Sequence, residues 1–243
     1  MLCLYHCGDR AMGTDGHTAT RGYKLHRCAT CYLPPGACVC AFTPRLHAPV
    51  QFWLLIHPDE YLKPTNTARL IGASMPHTRF FPWYRTAPPA ELLTLLSDRH
   101  FLPYLLVPGG DTKLFTALSE RPWLPDKIPA FLLLDGTWSQ ARKMRNRSPY
   151  LQGIPQMSLH PGTPSAYTLR RQRCAQHLST VEVAIALLEQ TGSPDAALLL
   201  QAYFKVFTAH AMAARHGHTV QQSLPEMAQL RIHSAQSPAA AAR

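Results

Sequence analysis

The sequence predicts an α/β fold built on a parallel sheet and preceded by a small cysteine-rich segment. Three observations carry this expectation. The strand candidates at 50–56 (VQFWLLI), 102–107 (LPYLLV) and 130–134 (AFLLL) are continuous apolar runs, as strands buried on both faces require, and do not alternate. Thr137 with Gln140, and Ser179 with Glu182, stand three residues apart, so each pair forms a capping box opening a helix at Trp138 and at Thr180. Finally, Cys28, Cys31, Cys38 and Cys40 cluster ahead of the first strand.

Residues 1–25 have no apolar period and are rich in Gly, Thr, His and Asp, so they read as a flexible leader, with Met12 an alternative start. Over 26–45 the four cysteines have the spacing C-x2-C-x6-C-x-C, and Pro34-Pro35-Gly36 turns the chain between the pairs. Four thiolates so placed suit a closed, structural zinc site; a Cys3 or Cys7 ligand, or a redox role, stays open. The main domain is expected over 46–216. Strand 50–56 leads into His57-Pro58-Asp59-Glu60 and a string from Lys63 to Leu70, where Thr65 or Asn66 either caps a short helix or contacts substrate. A strand over 78–83 and a helix over 90–98 follow. After strand 102–107, Pro108-Gly109-Gly110-Asp111 either admits a ligand close to the backbone or turns tightly into a helix over 113–119. Further elements are a strand at 156–159, a helix at 180–190 and an amphipathic helix at 195–216 with Leu198, Leu199, Ala202, Phe204 and Phe207 mostly in the core. Small and polar residues return from Gly217, so 217–243 reads as a mostly flexible tail.

The chemistry is expected in the stretch 130–147. An apolar strand ends at Asp135, and a helix from Trp138 to Arg147 begins three residues later, stopped by Ser148-Pro149. Ligands of open α/β sheets sit beyond the carboxyl ends of strands, so this junction gathers an acid, a hydroxyl and a large aromatic where a site is expected. Turn chemistry for Asp135 and a core position for Trp138 are the alternatives. The formal charge of +10 favours a polyanionic partner, and its distribution sharpens the point. No Asp or Glu falls between Gly136 and Val181, whereas Arg142, Lys143, Arg145, Arg147, Arg170, Arg171 and Arg173 do. Acid depletion beside the site is what attraction to a phosphate backbone needs.

The string Asp135-Gly136-Thr137-Trp138 resembles the D-x-T-W signature of the DTW-domain family, and Ser139 to Met144 continue the match. Lys63-Pro64-Thr65-Asn66-Thr67-Ala68-Arg69-Leu70, the Pro108-Gly109-Gly110 turn, Ser179-Thr180-Val181-Glu182 and the leading cysteines are similar to bacterial members in the same order. The resemblance implies a tRNA-uridine aminocarboxypropyltransferase with a SPOUT-like sheet and a C-terminal trefoil knot. It implies catalysis by Asp135, Thr137 and Trp138, and S-adenosylmethionine held by Val107, Pro108, Gly109, Leu134, Tyr167, Thr180 and Glu182. RNA would meet Lys63, Asn66, Arg142, Lys143 and Arg170, and structural zinc the four cysteines. Asp135 is either a general base or a group that orients substrate.

Two other readings compete: a SPOUT-type RNA methyltransferase, using the same donor but another carbon, and a non-catalytic, zinc-dependent RNA-binding module. No run approaches the ~18 apolar residues of a membrane helix, and no secretory leader is evident, so a cytoplasmic protein with reduced thiols is expected. Monomer and homodimer both stay open.

Overall fold

A computed structural model describes residues 26–111, 126–159, 169, 178–218 and 224–236, with backbone alone at 108–111. The expected leader at 1–25, the helix at 113–119, Tyr167 and the arginines at 170, 171 and 173 lie outside the described residues.

Five strands, β1 (Gln51–Ile56), β2 (Arg79–Pro82), β3 (Phe101–Asp111), β4 (Ile128–Asp135) and β5 (Gln156–Met157), form one sheet in the order β2-β1-β4-β3-β5. Every pairing is parallel, as the continuous apolar runs predict. The helices are α1 (Ala68–Ser74), α2 (Ala90–Ser97), α3 (Trp138–Arg147), α4 (Thr180–Gln190), α5 (Pro194–His216) and α6 (Pro225–Gln236). No helix among the described residues is long and apolar enough to cross a membrane.

Alternation along the strands divides the core. Phe52, Leu54, Ile56, Phe131 and Leu133 bury one face with residues of α1, α4, α5 and α6. Trp53, Leu55, Leu105, Ala130 and Leu132 bury the other with Leu92 of α2, Met144 of α3, Trp83 and Leu151. Successive side chains point to opposite faces, so Asp135 continues the face of Phe131 and Leu133 toward α1 and α4. In register, Ile56 pairs with Asp135, so β1 and β4 end side by side. The indole of Trp83 donates to the buried Ser148 Oγ at 2.8 Å, fastening the exit of β2 to the end of α3.

Three expectations are corrected, and a fourth, the core face of α5, holds with Leu198 as its exception. The Pro108 to Asp111 exit is not a free turn: its backbone continues β3, with a register shift against β5 between Leu106 and Asp111. The strand expected over 156–159 is only two residues long. Leu198 is 52% exposed, because it falls on the outer side of α5. The tail also contains a helix: within 217–243, α6 packs on α5 with Met227 and Leu230 buried. These two apolar residues are one helical turn apart, a signal that the polar composition around them conceals. Leu230→Ala should therefore destabilise the protein by about 2–5 kcal/mol in denaturant unfolding; a change within error would show that α6 lies outside the cooperative fold.

Candidate active site

Asp135 is 4% exposed, and both of its carboxylate oxygens accept hydrogen bonds. Asn66 Nδ2 donates to Oδ2 at 2.5 Å, and Thr180 Oγ1 donates to Oδ1 at 2.6 Å. The backbone is held too, since His57 N donates to Asp135 O at 2.9 Å. Three distant segments thus meet at one carboxylate: the end of β4, the loop before α1 and the first residue of α4.

Local sequence explains each approach. Asn66 Oδ1 accepts from Ala68 N at 2.8 Å, so the amide caps the start of α1 while its nitrogen turns to Asp135 and to Glu60 O, 3.3 Å away. Thr67 Oγ1 accepts from Val181 N at 3.3 Å, which ties α1 to α4. Arg69 donates to the carbonyls of Tyr61, Lys63 and Asn66 at 3.1–3.2 Å and holds the loop from within. Lys63 pairs with the fully buried Glu60 at 2.6 Å. At α3, Thr137 and Gln140 form the expected capping box: Thr137 N donates to Gln140 Oε1 at 2.7 Å. Glu182 accepts from Ser179 N and Oγ, both at 2.7 Å, and opens α4.

A cavity of about 290 Å³ lies at the carboxyl ends of β3 and β4, between α3 and α4. Its walls include Leu106, Val107, Leu134, Trp138 and Val183, with Arg142 and Arg145 among the lining and Thr180 on the side of Asp135. That size is near the lower end of small-molecule sites, and an apolar wall with a few polar groups is their usual character. Of the residues expected from sequence, Val107, Leu134, Trp138, Arg142 and Thr180 come together here. Others do not. Asn66 is buried against Asp135 and offers no RNA-facing surface, Thr137 is engaged in its cap, and Glu182 is turned to Ser179. Lys143 lies on another side of α3, 6.0 Å from the Trp83 ring.

Sequence reading placed Arg145 only in the basic cluster and His57 only in the loop after β1, and did not single out Val183. Trp138, Arg142 and Arg145 follow the i, i+4, i+7 spacing of one helical face, so that signal was present. His57 stacks on Trp83 with centroids 5.3 Å apart, and its Nδ1 accepts from Asp59 N at 3.3 Å. Gln140 Nε2 lies 3.2 Å from the same nitrogen. These contacts suit a neutral ring, and burial lowers the His57 pKa below its usual value, with Lys143 and Lys63 acting in the same direction against Asp59 and Glu60.

The cysteine sulfurs all lie within 4.8 Å of one another, with Cys28 to Cys40 at 3.5 Å and Cys31 to Cys38 at 3.7 Å. A zinc tetrahedron with bonds of ~2.3 Å has sulfur edges of about 3.8 Å, so the donor set fits that ion. Hydrogen bonding from Cys40 holds the Cys31 thiol down at about 4, against the effect of burial, and the same contact pushes Cys40 up. The cluster docks on α5 through Thr43 Oγ1 to Tyr203 Oη at 3.0 Å and through His210 Nδ1, 3.1 Å from Ala37 O. Arg69 lies 4.5 Å over the Tyr32 ring, joining the cluster to the loop that carries Asn66.

A buried carboxylate at a strand end, beside a cavity with arginines among its lining, is a site that can hold a small ligand with an anionic group. Residues 25–212 match the DTW domain model, and the chain belongs to that family. It is 28% identical over 199 residues to tRNA-uridine aminocarboxypropyltransferase 2 of Mus musculus, covering 78% of this chain and 65% of the mouse protein. The protein of the same name from Macaca fascicularis is 28% identical over 182 residues, or 71% of this chain and 59% of its own length. That from Drosophila melanogaster is 28% identical over 195 residues, 74% of each. The chain thus spans somewhat under two thirds of the two mammalian relatives. No solved structure gives a significant match.

Two outcomes test this geometry. Because the folded protein disfavours charged His57, His57 contributes stability above about pH 6.5, its ordinary unfolded value, and that contribution is lost as the pH falls toward the lowered folded value. The stability advantage of the wild type over His57→Gln should shrink between about pH 7.5 and 5.5 in chemical denaturation; a constant difference would remove His57 from the pH dependence. For the cysteines, purified protein should carry one zinc per chain by metal analysis, and chelation should lower the thermal midpoint, whereas Cys31→Ser should abolish both effects.

Proposed function

We propose that this chain transfers the 3-amino-3-carboxypropyl group of S-adenosylmethionine to N3 of a tRNA variable-loop uridine and releases methylthioadenosine. The observation that carries the reading is the carboxylate of the D-x-T-W signature, buried and held from both oxygens beside the cavity. The names of the three relatives support the same transfer.

In this reading the cavity takes the donor. Val107, Leu134 and Val183 supply apolar wall for the adenosine, Trp138 offers a half-exposed ring face, and Arg142 and Arg145 can pair with the donor carboxylate. The family resemblance adds Pro108, Gly109 and Tyr167 to the donor-binding residues. The new bond forms between uridine N3 and the methionine Cγ as the Cγ–sulfur bond breaks, leaving its electron pair on sulfur, and the N3 proton departs. The sulfonium is already a good leaving group, so the protein has two tasks: alignment and removal of the imide proton. Asp135, the carboxylate of the signature, is the group that takes the N3 proton or orients the base. Thr137 sets the turn that places Trp138. Lys63, Lys143 and Arg170 meet the RNA backbone, and Arg142, expected there from sequence, is given instead to the donor in the cavity.

We also infer a SPOUT-like sheet with a C-terminal trefoil knot. The parallel order β2-β1-β4-β3-β5 and the contact of α4 with Asp135 support it. Cys28, Cys31, Cys38 and Cys40 would hold a structural zinc that cross-links the segment ahead of the sheet. We infer a cytoplasmic location, where the four thiols would stay reduced for such a site.

The test is incubation of the protein with unmodified tRNA and donor labelled separately in the methyl group and in the aminocarboxypropyl chain. Chain label on uridine is expected, and Asp135→Asn, checked as folded by circular dichroism, should lower turnover by about 100-fold or more. Methyl label would make the enzyme a methyltransferase, and no transfer despite donor binding would favour an RNA-binding module.

A further inference from the structure

The cavity accounts for one side of Asp135; the other side carries exposed aromatic rings that the donor does not need. Tyr61 follows the short helical turn after β1 and is 39% exposed, and Tyr84 follows β2 and is 51% exposed. Both lie at the carboxyl edge of the sheet. Tyr61 is brought next to the carboxylate by the bridge already described, because the Asn66 amide that donates to Asp135 also donates to the carbonyl of Glu60, the preceding residue. Tyr84 is placed by its neighbours: Trp83 N donates to Ile56 O at 2.8 Å, and Tyr150 Oη donates to Tyr84 O at 3.3 Å. Tyr61 interacts electrostatically with both Tyr84 and Asp135.

Two backbones pinned by hydrogen bonds thus present two rings to solvent. Tyr61 is partly buried, but the large share of both tyrosines left in solvent adds nothing to the core, so folding alone does not explain it. Cations stand near the rings, Lys63 in its pair with Glu60 and Lys143 over Trp83, and the exposed Asp59 is engaged by Gln140 Nε2 at 3.0 Å and by His57. Rings beside cations form the surface that single-stranded nucleic acid uses, bases stacking on the rings and phosphates meeting the charges. A uridine inside a folded RNA must leave its stack to reach a buried carboxylate, so a ring platform at the entrance meets a physical need.

We propose that Tyr61 and Tyr84 form a stacking platform that receives an unpaired nucleobase of the RNA and guides it to Asp135. This deepens the transferase reading and rests on it for the identity of the reacting base. Burial raises the Tyr61 hydroxyl to about 12, so its ring stays uncharged beside phosphate throughout the physiological range.

The test needs no turnover. Binding of a dye-labelled, single-stranded oligouridylate to the full chain is measured by anisotropy for the wild type, Tyr61→Ala, Tyr84→Ala and the two phenylalanine variants. Each alanine variant should raise the dissociation constant about fivefold or more, and each phenylalanine variant should stay near the wild type. Both side chains are exposed, and an unchanged thermal midpoint checks the fold. Should Tyr61→Ala lower that midpoint, Tyr84→Ala decides. Wild-type affinity in the alanine variants, equal losses in the phenylalanine variants, or equally strong competition by duplex RNA would each overturn the platform. If the tyrosines govern binding but no label reaches uridine, the transferase reading fails and the platform stands. If label is transferred and the alanine variants keep the wild-type KM for tRNA, the platform alone fails.

Discussion

A buried carboxylate must be satisfied by hydrogen bonds, and that requirement at Asp135 organises the molecule around it. An ionised group removed from water without partners is strongly unfavourable, so whatever supplies the donors is held in place as firmly as the acid. Here they come from Asn66 and Thr180, 69 and 45 residues away in sequence. The loop before α1 and the start of α4 are therefore fixed relative to β4 and to each other, and the Thr67 to Val181 contact closes the triangle.

The loop carrying Asn66 needs its own support, and three interactions give it. Glu60, with no exposed surface, pairs with Lys63; Arg69 gathers three loop carbonyls; and the guanidinium of Arg69 lies over Tyr32 in the cysteine-bearing segment. Tyr32 itself adopts a positive φ of 60°, which turns the chain immediately after Cys31. A metal held by the four thiolates would stiffen that turn, so the cluster connects to the reaction centre through packing and not through ligation. Desolvation opposes the charge on Arg69, with Tyr32 and Asp135 the first of the groups acting to keep it.

The strand pleat divides the two approaches to the site. Asp135 points to the α1 and α4 side, whereas His57, one residue beyond its register partner, stacks on Trp83 on the α3 side. The cavity lies where β3 and β4 end and the exposed tyrosines where β1 and β2 end, so the carboxylate lies between two surfaces of different chemistry, one concave and apolar, the other open and aromatic.

Much of this was legible in one dimension. Continuous apolar runs demanded a sheet covered on both sides, the Thr137–Gln140 and Ser179–Glu182 pairs marked the starts of α3 and α4, and the cysteine spacing announced a four-sulfur cluster, because each is a local pattern with a local cause. Asp135 could be singled out for its place at a strand end. What no local pattern contained was the partner of each group. Asn66 carries the same side chain whether it meets RNA or a buried acid, and only the parallel pairing of β1 with β4 decides that it meets the acid. Likewise Met227 and Leu230 form a helix face only because α5 offers them an apolar surface. Sequence by itself determined the kinds of element and the acid at their centre; tertiary structure decided which donors hold that acid and which surfaces flank it, since hydrogen bonds and burial depend on neighbours that chain order does not reveal.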